Sequence, residues 1–219
     1  YKNIPIIHIE GGDISGVIDN KVRHSITYLS DYHFVTNDEA QIKLVNMGIP
    51  IDRIWNFGSL DVEFALQVKP EKLRKNPYLL VAYHPILGEN EKELDNALKQ
   101  FPNYDIIKIK SNTDYGREYG AEQYSPEDYI NLLRYADCCI GNSSSLLKEA
   151  SGLGKSVVNI GNRQQGRLKP VNVLDVPCET EKIKKGILYQ LNNNYNQDWR
   201  YYKPDTSKNI VSIIDKINL

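Results

Sequence analysis

CCIGNSSSLLKEASG, Cys138 to Gly152, is the stretch on which the fold turns. A short apolar run, Cys138–Ile140, reads as a buried strand that stops at Gly141. Three serines follow, and then a pattern that predicts a helix over Ser143–Gly152. A strand running through a glycine turn into a helix is half of a βαβ unit. The first-turn N–H groups, the helix dipole and the serine hydroxyls all favour an anion there, a diphosphate being the natural candidate. Glu149 stands one helical turn after Ser145, on the same face. An ionised carboxylate only accepts hydrogen bonds, which suits a vicinal diol. Phosphate cradle and diol acceptor together suggest a nucleotide with a ribose. On spacing alone an equal reading is that the serines merely cap the helix and Glu149 is solvated.

The same rhythm extends outward. Upstream, strand Tyr78–Tyr83 ends at His84–Pro85, followed by helix Glu91–Gln100, strand Asp105–Lys110 and helix Pro126–Tyr135. Downstream come strands Ser156–Ile160 and Val173–Val176 and helix Glu181–Leu191. Alternation of this kind argues for a parallel sheet with helices on both faces. Before it lies a smaller block of the same type. Its strands are Ile4–Ile9, Tyr32–Thr36 and Ile54–Phe57; its helices are Asp19–Leu29 and one capped by Asn37 that runs to about Met47. A polar stretch, Lys69–Asn76, separates the blocks. The expected fold is α/β with two Rossmann-like domains. Residues 1–58 form the later part of the first, and residues 59–219 a complete second with a helical tail near Ile210–Ile217. The chain opens at Tyr1, without Met and straight into a strand, so an N-terminal piece is expected to be missing from the first domain.

The totals exclude several classes. A net charge of -1 exerts no overall pull on nucleic acid or anionic membrane. No apolar run approaches the roughly 20 residues of a membrane span, and no basic-then-apolar leader is present. Cys138 and Cys139 are neighbours on a strand, point to opposite faces and do not pair. A reduced cytoplasmic compartment is the simplest reading. No His or Cys pair has zinc spacing near a second pair, so no metal is expected. The P-loop and dinucleotide fingerprints are missing.

In open α/β sheets ligands bind outside the carboxyl ends of strands, and the remaining candidates sit at such ends. NRQQGR, Asn162–Arg167, offers Arg163 and Arg167, whose guanidinium forks match phosphate oxygens; ordinary surface arginines are an equal reading. In HIEGGD, His8–Asp13, Glu10 stands between Ile9 and two glycines, where a partly desolvated carboxylate can act as acid or base. Asp19 and Arg23, spaced i, i+4, read most simply as a helix salt bridge. His24 and His33 read as structural. His84, held extended by Pro85, is a lone histidine at a strand end.

Taken together, HIEGGD, the segment Ile18–Ala40, GIPIDRIWNFGS (Gly48–Ser59), YHP, GNSSS with Glu149–Ala150, and VVNIGNRQQGR resemble the UDP-N-acetylglucosamine 2-epimerase family. The resemblance is closer to its hydrolysing branch, from sialic-acid-type pathways, and spans most of the chain in the family's order. It implies two Rossmann-like domains in a GT-B-like arrangement, with a UDP-sugar in the cleft between them. By resemblance Glu10 is an acid/base candidate, Asp19 and Arg23 belong to the cleft helix, and His84 is the cleft histidine of the second domain. Ser143, Ser144 and Ser145 resemble the diphosphate-binding turn, Glu149 the ribose-binding glutamate, Arg167 a loop arginine near the nucleotide, and Tyr129 an aromatic beside the uracil. The implied chemistry is elimination of UDP followed by hydration to a free N-acetylmannosamine-type sugar, with no metal or other cofactor. The implied partners are the UDP-sugar and UDP, not nucleic acid or membrane, and a homo-oligomer, a dimer, is expected. The sequence departs from the family at Leu146, where a small residue is usual, at Leu60 and at Asp13. A non-hydrolysing epimerase and a UDP-binding module without turnover remain the alternatives. A two-domain glycosyltransferase is disfavoured by the H-x-E strand and D-x-x-x-R helix.

Overall fold

The computed structural model describes residues 4–15, 19–86, 88–111 and 119–217; Tyr1, Ile18 and Leu219, named above, lie outside them. The chain divides into two compact units. One comprises Tyr1–Phe64, Gln165–Leu168 and Trp199–Leu219; the other comprises Ala65–Gln164 and Lys169–Asp198.

The first unit holds β1 (Ile7–Ile9), α1 (Asp19–Leu29), β2 (Tyr32–Val35), α2 (Asp38–Asn46) and β3 (Ile54–Asn56). Its sheet is parallel in the order β1-β2-β3, with His8 beside His33 and His33 beside Ile54. The Asn37 side chain accepts from the Ala40 N–H at 2.9 Å, which starts α2 where the sequence predicts. Val35, Ala40, Leu44 and Ile54 form the small core beneath it. α3 (Leu60–Gln67), a helix not among the sequence expectations, carries the chain onward into the second unit.

The second unit contains β4 (Tyr78–Ala82), α4 (Glu91–Leu98), β5 (Asp105–Lys108), α5 (Pro126–Tyr135), β6 (Cys138–Gly141), α6 (Glu149–Gly152), β7 (Val157–Ile160), β8 (Val173–Val176) and α7 (Thr180–Leu191). All neighbouring strands are parallel, in the order β5-β4-β6-β7-β8. Alternate strand side chains feed two apolar layers. Leu79, Val81, Cys138 and Ile140 pack with Leu94 of α4 and Ile183 of α7. Leu80, Cys139 and Val157 pack with Leu132 and Leu133 of α5. Cys138 and Cys139 thus lie in opposite layers, both as free thiols, as the strand periodicity predicts.

Two expectations changed. The final helix, α8 (Thr206–Ile214), was expected to end the second domain but belongs to the first unit. Thr206 Oγ1 donates to the Phe57 carbonyl at 2.7 Å, and the Ser207 N–H donates to Glu63 Oε2 at 3.0 Å. The helix expected over Ser143–Gly152 is instead a 3-10 turn, Ser144–Leu146, and the single turn of α6. The Leu146 N–H reaches only back to Ser143 O, at 3.2 Å, and the Leu147 N–H to Ser144 O, at 3.0 Å. Leu146, Leu147 and Ala150 are all drawn into the α5 layer beneath. So short a helix has little macrodipole, and any anion held here depends on the turn's own donors.

Candidate functional site

The strand order places the site. From β4 the chain steps out to β5 on one side and then crosses back past β4 to β6 on the other, so the switch point of the second unit lies between the carboxyl ends of β4 and β6. These ends carry His84 and the GNSSS turn. Their close approach requires Gly141: its φ is +141°, and a Cβ there would sit 2.1 Å from the Ala82 carbonyl oxygen. That oxygen instead accepts from the N–H groups of Asn142 and Ser143, at 3.1 and 3.2 Å.

Asn142, wholly buried, is the hub of the site. Its Oδ1 accepts from the His84 N–H at 2.7 Å and its Nδ2 donates to the His84 carbonyl at 2.9 Å. Its own carbonyl accepts from Gln164 Nε2 at 2.6 Å and Arg163 Nη1 at 3.1 Å. One residue, through its side-chain amide and its main-chain carbonyl, therefore ties the strand end at His84 to the loop after β7. This asparagine stands inside the GNSSS motif, and the sequence alone assigns it no role. The signal in the sequence is an asparagine directly after a strand-ending glycine.

Beside it opens a pocket of about 360 Å³ whose lining includes His84, Lys110, Ser111, Tyr129, Ser143 and Ser145. Ser143 and Ser145 hydroxyls lie 3.0 Å apart, and the Tyr129 hydroxyl hydrogen-bonds Ser145 Oγ. Burial, and then the charge of Glu149, hold the Tyr129 phenol well above the usual tyrosine range, so it stays protonated and can donate. Glu149 is buried beneath the turn. Leu146, where the sequence departs from the family, packs into the apolar layer and does not line this pocket. Of the expected residues, His84, Tyr129, Ser143, Ser144, Ser145 and Glu149 all fall in this one unit. A larger hollow of about 590 Å³ runs along α8. Its lining comes from that helix and the two residues after it and gathers no convergent chemistry.

Glu10, Asp19, Arg23 and Arg167 fall in the first unit. Glu10 follows β1 in the left-handed region, φ +62°, and its Oε1 accepts from Ser59 Oγ at 2.8 Å. Arg167, expected in the loop near the nucleotide, lies largely covered against Asp13, with Nε 3.4 Å from Oδ2 but without hydrogen-bond geometry. Its Nη1 has no hydrogen-bond partner among the described residues. Arg23 Nη1 donates to the Asp13 carbonyl at 3.2 Å. Burial and then the Arg167 charge lower the Arg23 pKa, while Asp13, Asp19 and Glu10 oppose the change. These five groups make one charged cluster in which Asp19 is the exposed member. Nearby, His8 is pushed down to about 4, by burial and then by His33 and Arg23, and is neutral at pH 7. Among the described residues no group of three or more His, Cys, Asp or Glu is placed to hold a metal, and no helix is long and apolar enough to cross a membrane.

A parallel α/β sheet with polar groups converging at its switch point is a Rossmann-like ligand-binding architecture. The family model described as UDP-N-acetylglucosamine 2-epimerase matches residues 1–215, and the chain belongs to that family. Its relatives include polysialic acid biosynthesis protein P7 of Escherichia coli, 32% identical over 97% of this chain and 64% of the relative. A hydrolysing UDP-N,N'-diacetylbacillosamine 2-epimerase of Legionella pneumophila is 31% identical over 88% of this chain and 59% of its own length. The UDP-N-acetylglucosamine 2-epimerase of Neisseria meningitidis is 30% identical over 83% and 56%. The chain thus spans somewhat more than half the length of these curated relatives. In fold it resembles the crystal structure of the Neisseria meningitidis UDP-GlcNAc 2-epimerase bound to UDP-GlcNAc, with a TM-score of 0.77 at 18% identity over 99% of this chain and 71% of that one.

Proposed function

We propose that the chain is part of a hydrolysing 2-epimerase acting on a UDP-2-acetamido sugar. The observation that carries this is the switch-point pocket, where Asn142 clamps His84 beside Ser143, Ser145 and Tyr129. Hydroxyls and first-turn N–H groups suit the diphosphate, and the buried carboxylate of Glu149 suits the ribose diol. Arg167 is assigned to the substrate anion, since its Nη1 has a donor to spare.

The chemistry divides into two steps. A base removes the proton at sugar C2. The released pair forms the C1=C2 bond as the C1–O bond breaks, and UDP leaves with its electrons. Water then adds across the glycal, hydroxyl to C1 and proton to C2 on the opposite face, giving a free N-acetylmannosamine-type sugar. Glu10 and Asp19 are the acid/base candidates, Arg23 neutralises their charge, and His84 stabilises the departing diphosphate. The Legionella relative, named as hydrolysing, favours that branch, and the Escherichia coli relative, named for polysialic acid biosynthesis, favours an amino sugar of sialic-acid type. A homodimer working in the cytoplasm completes the proposal.

Incubating the full-length protein with UDP-N-acetylglucosamine or a 2,4-diacetamido analogue tests the reading: UDP and a free 2-epimerised sugar are expected. Failure to release UDP from any such sugar sinks it. The Neisseria relative favours a second reading, a non-hydrolysing epimerase. NMR of the products separates the two, because that enzyme returns a UDP-sugar. A module that only binds UDP would give calorimetric binding without product.

A further inference from the structure

Glu10 is held by a side chain that the sequence motifs do not single out. Ser59 is wholly buried, and its hydroxyl donates to Glu10 Oε1 at 2.8 Å from 49 positions away. A serine hydroxyl ordinarily rotates among three rotamers; here the backbone beneath it is pinned. The Ser59 N–H donates to the Tyr201 carbonyl at 2.8 Å, and the Ser59 carbonyl accepts from the Glu63 N–H at 3.1 Å, opening α3. Gly58, with φ +83°, sits so close to the tail that a Cβ would lie 2.6 Å from the Lys203 nitrogen. Tyr201 is itself wholly buried and donates its hydroxyl to the Leu168 carbonyl at 2.7 Å. The position of the Ser59 hydroxyl is therefore set by the segment Tyr201–Lys203, before α8.

The other end of the bond is constrained as well. Glu10 adopts a left-handed backbone conformation that non-glycine residues seldom take, and its N–H donates to the Phe34 carbonyl at 2.8 Å. A strained backbone aims the side chain, and Ser59 fixes its far end. We infer that Ser59 is a positioning residue for Glu10, holding the carboxylate in one rotamer for proton transfer at the sugar, with the tail at Tyr201 setting the geometry. The inference rests on the acid/base role proposed for Glu10.

Ser59→Ala is expected to lower kcat for UDP release about 10- to 100-fold, the worth of a hydrogen bond to a charged group, with KM and UDP affinity moved less than about twofold. Ser59→Thr, which keeps the hydroxyl, restores most of the rate. In a Glu10→Gln background, Ser59→Ala lowers kcat no more than about twofold further, because residues acting as one unit are not additive. A full multiplicative loss in that background overturns the inference. Should the alanine variant melt far below wild type, Ser59→Cys, of similar shape and only a weak donor, is expected to give the same loss of kcat at native stability; wild-type kcat in it overturns the inference. Wild-type protein that releases no UDP overturns the proposed function as well, whereas normal turnover by Ser59→Ala overturns this inference alone.

Discussion

The Asn142 side chain grips the main chain of His84 on both sides, accepting from its N–H at 2.7 Å and donating to its carbonyl at 2.9 Å. This pair converts a histidine at a strand end into part of a fixed constellation with the serine turn. Replacing Asn142 with alanine takes the partner from two part-buried main-chain groups of His84, and a fully buried group left so costs about 1–3 kcal/mol. Urea unfolding is expected to register a loss of that order, together with slower UDP release. A variant as stable as wild type would refute the clamp.

Glu149 and the cluster around Glu10 are expected to separate binding from chemistry. Glu149→Ala removes the proposed ribose acceptor and raises the dissociation constant for UDP, read by calorimetry, about tenfold or more, the worth of one charged hydrogen bond. Turnover at saturating substrate changes less.

Glu10→Gln and Asp19→Asn are expected to do the opposite. Each keeps its side-chain shape and loses proton transfer, which commonly contributes about 100-fold or more. UDP affinity stays near wild type. The reverse pattern across the three variants overturns the roles assigned to them.

His8 predicts how stability responds to acid. Burial, His33 and Arg23 push its folded pKa down to about 4 from 6.5. Between those values the unfolded chain takes up a proton that the folded chain refuses, so stability is full above pH 6.5 and falls as the pH drops toward 4. The ceiling is about 3 kcal/mol by linkage, and solvent screening of a half-buried ring reduces it to about 1–2 kcal/mol. His33, lowered chiefly by burial, acts in the same direction. Unfolding curves from pH 7 to 4.5 are expected to flatten, not level, in His8→Asn.

Asp13 stands between two arginines. Removing it in Asp13→Ala leaves the largely covered Arg167 facing Arg23 without its counter-ion. The expected cost is about 3 kcal/mol, the low end for breaking a buried pair because the 3.4 Å contact lacks hydrogen-bond geometry. Asp13→Glu keeps the charge and costs less. Equal melting temperatures for the alanine variant and wild type would show the pair to be idle.

Local periodicity made much of the fold legible. Asp19–Leu29, Pro126–Tyr135 and Val173–Val176 begin and end where the sequence places them, because caps, a proline at the first turn and β-branched runs act within a few residues. α3 is absent from the sequence expectations although Asp61 and Glu63 supply the acidic first turn of a helix. The serine-turn helix was over-read because the pattern of apolar residues does not distinguish a 3-10 turn from an α-helical one.

By itself, the sequence determined the α/β class, the strand ends on which chemistry gathers, and the residue types at those ends. Tertiary structure decided which of them meet. Asn142 reaches His84 across 58 positions, Ser59 reaches Glu10 across 49, and Arg167 turns to Asp13. The tail after Trp199 joins the first unit and not the second. The physical reason is range: propensity and periodicity act over a turn or two, while strand order and the burial of polar groups arise only once the distant segments pack.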